Sequence, residues 1–151
     1  MTAGNVDVAK RQEAMRLCAL ASAEELSALV ERLGGTETVS DLRRPERGLV
    51  MLQGRAGGEG AAFNLGEASV VRAAVSLSDG TLGFAYHLGR DAKKARHAAI
   101  LDALRQRPGG ADRVDGALEP VARRITAEDR LDAERTAATR VEFFTMTRGE
   151  D

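Results

Sequence analysis

The residues best suited to chemistry stand at Gly89-Arg90-Asp91, where a strand-like stretch gives way to a helical one and Lys93, Lys94 and Arg96 follow closely. The free N–H groups of a helix start, its dipole and nearby cations can converge on a phosphate. Arg90, Lys93 and Lys94 are therefore the candidate substrate-binding residues. The competing reading is that Asp91 caps the helix and the basic side chains form a solvated face. A second stretch, Gly57-Gly58-Glu59-Gly60, would let backbone N–H groups approach an anion. A P-loop or dinucleotide fingerprint opens a helix, however, and here a strand follows, so these glycines read as a plain turn.

Other reactive groups are sparse. His87 and His97 are the only histidines and Cys18 is the only cysteine, so neither a complete Cys/His metal site nor an internal disulfide is expected. Cys18 reads as a small buried residue on a helix. His87 could act as an acid or base, but no third group at a matching spacing orients it, and it reads as sheet packing. There is no G-x-S-x-G, no Cys/His pair and no carboxylate dyad that spacing singles out. No catalytic residue is assigned. With 22 basic and 23 acidic residues the net charge is -1, which gives no global field for nucleic acid or an anionic membrane. The apolar runs are too short for a spanning helix, and MTAGNVDVAK lacks the apolar core of a secretion signal, so a cytoplasmic protein is expected.

The elements that must position these residues centre on Gly48 to Asp91. Ser78-Asp79-Gly80-Thr81 sets Asp-Gly between two alternating apolar runs, a strong signal for a two-residue type I′ hairpin. In that register Leu77 faces Leu82, Val75 faces Phe84, Ala73 faces Tyr86 and Val71 faces Leu88, all on one face. Arg72 then faces His87, Ala74 faces Ala85 and Ser76 faces Gly83 on the other. Gly48 to Ala56 reads as a strand, Gly57, Gly58 and Gly60 as its turn, and Ala61 to Glu67 as the return. Thr36 to Arg44, leading to Pro45, suits an edge strand.

Helices flank this region. Val6 to about Leu20 and Glu24 to Leu33 are two, with a Ser22/Glu25 capping box, ended by Gly34-Gly35. Asp91 to about Arg105 is a third, ended by Pro108-Gly109-Gly110. Pro120 marks a break, and Thr126 with Asp129 starts a long helix from about Ala127. The expected fold is α+β, a single domain over 1–151, with a largely antiparallel four- or five-stranded sheet flanked by N- and C-terminal helices. Near the end, RVEFFTM places Arg140, Val141, Phe143, Phe144 and Met146 ahead of Arg148. Such an apolar cluster beside a polar terminus needs a cover, and the 140–149 tail reads as a docking segment for a partner.

Taken together, GLVMLQGRAGGEGAAFNLGE, VVRAAVSLSDGTLG, LGRD and the terminal RVEFFTMTRG resemble the PhnG family, the small G subunit of the bacterial carbon–phosphorus lyase core complex. The likeness covers nearly the whole chain. Two departures are Val71, where relatives are expected to carry a hydroxyl residue, and Thr147, where an aliphatic one is common. The resemblance implies a subunit in phosphonate catabolism. It implies a step in which methylphosphonate displaces adenine from ATP to give α-D-ribose 1-methylphosphonate 5-triphosphate, with the H, I and L subunits required alongside. The nucleosidase-type chemistry would lie in the I subunit, also the expected direct contact of the tail, and the later iron–sulfur cleavage in J. G, H, I and J would form a two-fold symmetric hetero-oligomer. This chain would bind no cofactor alone, ATP being a substrate of the complex. Its role would be architectural; the alternatives are that it lends triphosphate-binding groups to a shared site or is a free-standing small-molecule-binding protein.

Overall fold

The computed structural model describes residues 3–139, with side chains from Asp7 onward. In chain order the elements are α1 (Ala3–Leu20), α2 (Ala23–Gly34), β1 (Val39–Arg55), β2 (Ala62–Leu77), β3 (Leu82–Leu88), α3 (Ala92–Arg105) and α4 (Gly110–Ala138). The three strands form one antiparallel sheet in the order β1-β2-β3. The α+β class stands, but the sheet has three strands rather than four or five, because two expected breaks are irregularities inside longer strands. Pro45 sits where the β1 register shifts between Arg43 and Glu46, and edge strands tolerate the missing N–H there. A second shift, between Leu52 and Gln53 opposite Gly66, lets β2 run on unbroken.

The β2–β3 hairpin is present, but one residue out of the expected register. Val75 faces Gly83, Ala74 faces Phe84, Ala73 faces Ala85, Arg72 faces Tyr86 and Val71 faces His87. The loop has three residues: Gly80 N–H donates to the Leu77 carbonyl at 2.9 Å and Leu77 N–H to the Thr81 carbonyl at 2.9 Å. Only Gly80 takes a positive φ, +84°, whereas a type I′ turn would also need one at Asp79. Asp79 instead accepts from Thr81 N–H at 2.9 Å. The consequence is large, since a one-residue slip exchanges the faces of a whole strand. Gly83, Ala85 and His87 turn inward, and Leu82, Phe84, Tyr86 and Leu88 turn outward.

Packing explains the choice. Helix α3 lies against β2 and β3 with Ala95, Ala98, Ala99, Ile100, Leu101 and Ala103 all buried. It comes so near that a methyl group on Gly83 would meet the Ala99 carbonyl, and would stand 2.6 Å from the Ala103 nitrogen. Phe84 or Tyr86 could not occupy that face. The core is completed by Leu17, Leu26, Val71, Val75, Leu118 and their neighbours. The α2 capping box forms as expected, with Glu25 N–H on Ser22 Oγ at 3.1 Å and Ser22 N–H on Glu25 Oε2 at 2.7 Å.

Helix α4 corrects another expectation. It runs unbroken through Pro120, and Thr126 is interior, its hydroxyl donating back to the Ala122 carbonyl at 2.9 Å. Val114, Ala117, Leu118, Val121 and Ile125 form a buried stripe at helical spacing, and this tertiary burial outweighs the bond lost at proline. From Thr126 to Thr139 every residue is exposed, so the last ~20 Å of the helix leaves the body. The far ends of β1 and β2, around the Gly57–Gly60 turn, are likewise exposed on both faces.

Gly83→Ala should lower stability by about 3 kcal/mol, a Tm drop on the order of 10 °C, because the helix backbone has no room to yield. Thermal unfolding that leaves Tm within a degree or so would show that α3 does not approach β3 this closely.

Candidate functional site

The β3–α3 junction carries the expected anion-binding residues and can be read group by group. Gly89 turns the chain with φ +113°, and its N–H donates to the Ser69 carbonyl at 2.9 Å. Arg90 follows, its Nε donating to Ser69 Oγ at 3.0 Å. Arg47, from the edge strand, donates its Nε to the Arg90 carbonyl at 2.9 Å. The Arg47 guanidinium therefore rests on the Arg90 backbone while the Arg90 guanidinium turns to Ser69, and among the described residues neither arginine has a carboxylate partner. The importance of Arg47 was not visible in the sequence, because it is 43 residues from Arg90 and arrives from another strand.

The other expected members do not converge there. Asp91 is the α3 N-cap and accepts Lys94 N–H at 2.9 Å, so the helix start is occupied by the chain's own carboxylate. Lys93 is exposed. Lys94 turns toward the helical layer, where its Nζ donates to the Ala19 carbonyl at the end of α1, 2.6 Å away. Burial lowers its pKa, Asp91 opposing the shift. Lys94 thus ties α1 to α3 while Arg90 and Arg47 stand apart from it.

The remaining polar groups are mostly engaged in joining elements. Asp102, buried on α3, accepts both Arg11 Nε at 2.8 Å and Arg11 Nη2 at 2.7 Å, and also the Phe84 N–H at 2.9 Å. Arg107 donates to both oxygens of Glu37 and to Asp79, and Ser78 also donates to Glu37. These bonds hold the Glu37 pKa down at about 2, Arg107 contributing most. Arg124 on α4 grips Glu25 on α2 at 2.9 Å through two nitrogens. Cys18 is buried, which pushes its thiol up to about 12 and leaves it unreactive.

His87 lies on the buried face opposite Val71, not on the less apolar face opposite Arg72 as expected. Among the described residues its Nε2 has no hydrogen-bond partner, nor has Nδ1 of His97 on α3. Burial, aided by Lys94 and opposed by Asp91, holds the His87 pKa below the ordinary 6.5. No group among the described residues hydrogen-bonds the Nε2 of this imidazole to orient it. Among the described residues no cluster of His, Cys, Asp or Glu could hold a metal, and no helix is long and apolar enough to cross a membrane. The Gly57 and Gly58 backbones take φ of +61° and +85°, and Gly60 N–H closes the turn on the Ala56 carbonyl. The docking residues expected in the tail, Arg140, Val141, Phe143, Phe144, Met146 and Arg148, lie outside the described residues.

What the sequence reading missed is the face of the sheet turned away from the helices. Phe84, Tyr86 and Leu88 are 50%, 59% and 65% exposed, and Leu82 stands beside them. A groove of about 430 Å³ opens beside Arg43, Arg72, Phe84 and Tyr86 of this sheet and is also lined by Arg11 and Met15 of α1 and Asp102 of α3. The signal was in the letters: strands apolar on both sides, as in VVRAAVSL, are read from sheets covered on both faces.

The fold and its polar groups define a two-layer α+β domain whose described residues hold no reactive constellation and whose sheet is covered on one side only. Comparison with known proteins gives the family. Residues 9–149 match the family described as phosphonate metabolism protein PhnG. The chain is 51% identical over 150 residues to the alpha-D-ribose 1-methylphosphonate 5-triphosphate synthase subunit PhnG of Rhizobium meliloti (strain 1021), covering 99% of this chain and 96% of that protein. The chain belongs to the PhnG family.

The histidines make stability depend on pH. With a folded pKa below 6.5, His87 binds fewer protons in the native state than in the unfolded chain, so its neutral form supports the fold above that value. The support is lost as pH falls from about 6.5 through the lower folded value. His87→Leu should therefore shrink the stability difference between pH 7.5 and pH 5.5 in urea unfolding. An unchanged difference would mean that the ring is solvated.

Proposed function

We propose that this chain is the G subunit of a synthase that joins methylphosphonate to the ribose triphosphate of ATP with release of adenine, in phosphonate catabolism. The observation that carries this reading is near-complete alignment, at 51% identity, with a protein named as that synthase subunit. The architecture supports a supporting rather than a catalytic role. Attack on the ribose carbon needs a group to activate the phosphonate oxygen and a group to receive charge on the departing adenine. The described residues offer no such pair: Asp102 and Glu37 are committed to Arg11 and Arg107, His87 is buried, and Cys18 is a buried thiol. The partners are H, I, J and L subunits in a two-fold hetero-oligomer, with I the direct contact and the seat of the chemistry. The setting is the cytoplasm, and this chain holds no cofactor of its own. The purified chain should release no adenine from ATP, while the co-purified assembly should do so only with methylphosphonate present, read by chromatography of the products. Turnover by the isolated chain would overturn the architectural role.

A second reading rests on Arg90 and on Arg47, which bonds the Arg90 main-chain carbonyl; among the described residues neither has a carboxylate partner. Two guanidinium groups suit a triphosphate. In this reading Arg90→Ala raises the KM for ATP of the assembled complex roughly tenfold, the loss of about one charged hydrogen bond. Failure to assemble would instead make Arg90 structural.

A further inference from the structure

The sheet's outer face is chemically two things at once. Along β3, Leu82, Phe84, Tyr86 and Leu88 all point outward, and from β2 Val70 and Ala74 share that side by register. Beside them Arg43 and Arg72 both bind one carboxylate, Glu46, at 2.8 and 3.0 Å. The neighbouring Arg11 is committed to Asp102. The centre of the face therefore holds one more guanidinium than carboxylate among Arg43, Arg72 and Glu46. A second groove, of about 220 Å³, shares Arg72 and Tyr86 with the one along Arg11, Phe84 and Tyr86, so these two side chains border both.

We propose that this face is the seat of an amphipathic helix from another subunit, one that sets large apolar side chains on Phe84 and Tyr86 and an acidic side chain against Arg43 and Arg72. The inference rests on the subunit role argued above and names the surface that serves it. Three strands about 4.8 Å apart present a width that one helix of about 10 Å covers. A helix also satisfies its own backbone, which matters because the Phe84 N–H on the free edge of β3 is already taken by Asp102. Charge complementarity asks for the acid, and a face of this size asks for bulky apolar residues. The chain's own projecting helix does not match. Residues 126–138 carry Glu128, Asp129, Asp132 and Glu134, but Leu131 is their only large apolar side chain.

The test uses the full chain co-expressed with the partner subunits named above. Phe84→Asp with Tyr86→Asp should cut co-purification at least tenfold while leaving the Tm of the free chain unchanged, since both rings are half exposed. A photoreactive benzophenone amino acid placed at Tyr86 identifies the occupant by mass spectrometry of the crosslinked peptide. Expected is a partner peptide with helical apolar spacing and an acidic residue beside it. If the wild-type chain captures no partner, the subunit reading falls and this surface with it. If the wild type assembles and the double variant does so equally, only the surface is wrong. A crosslink to residues 126–138 or 140–151 of this chain, or to a basic or extended partner segment, also overturns it.

Discussion

The close approach of α3 across β3 governs most of what surrounds it. A strand can take a helix at this distance only where side chains nearly vanish, and Gly83, facing Ala99 and Ala103, supplies that gap. The approach is locked by a polar contact as well: Asp102 on the helix reaches the free Phe84 N–H on the strand, and Arg11 from α1 compensates the buried carboxylate. Leaving such a carboxylate without its donors would cost several kcal/mol, so helix, strand and α1 are positioned together. The register of β3 follows, and with it the direction in which every large side chain of that strand points.

That direction explains why a stable domain has so much apolar surface on one side. The helical layer takes up Val71, Ala73, Val75, Leu77 and Ala85, which suffices for a core with Leu26, Leu101 and Leu118. Phe84 and Tyr86 contribute little to it. Ion pairs then fasten the periphery: Arg107 holds the hairpin turn through Asp79 and the start of β1 through Glu37, while Arg124 joins α4 to the cap of α2. Beyond these ties the end of α4 and the β1–β2 turn project from the body. A chain that folds on one face and leaves the other apolar has the form of a component, consistent with a PhnG-family subunit.

The helices at the two ends of the sheet were legible because caps and breakers act locally. Ser22 with Glu25 and Asp91 formed the caps their spacing implied. Pro120 misled because proline's local cost was outweighed by a stripe from Val114 to Ile125 that only tertiary packing reveals. The hairpin misled more instructively. Asp79-Gly80 correctly marked the turn, but two- and three-residue loops share those letters, and the apolar pattern favoured the register that hid Phe84 and Tyr86. That inference assumed one buried face. The true register is set by Gly83 against a helix 16 residues further on, a contact no local rule contains. The proposed anion site was half legible for the same reason: Arg90 lies where expected, yet Lys94 answers to the end of α1 and Arg47 arrives from another strand.

The division of the sheet into a folding face and an associating face is most directly measured by covalent footprinting of side chains in the free chain and in the purified assembly. Phe84, Tyr86 and Leu88 should label readily in the free chain and become shielded in the assembly, while Val71, Val75 and Leu77 stay unlabelled in both. Outer-face side chains that label equally in both states would contradict it, and so would labelling of the inner set in the free chain.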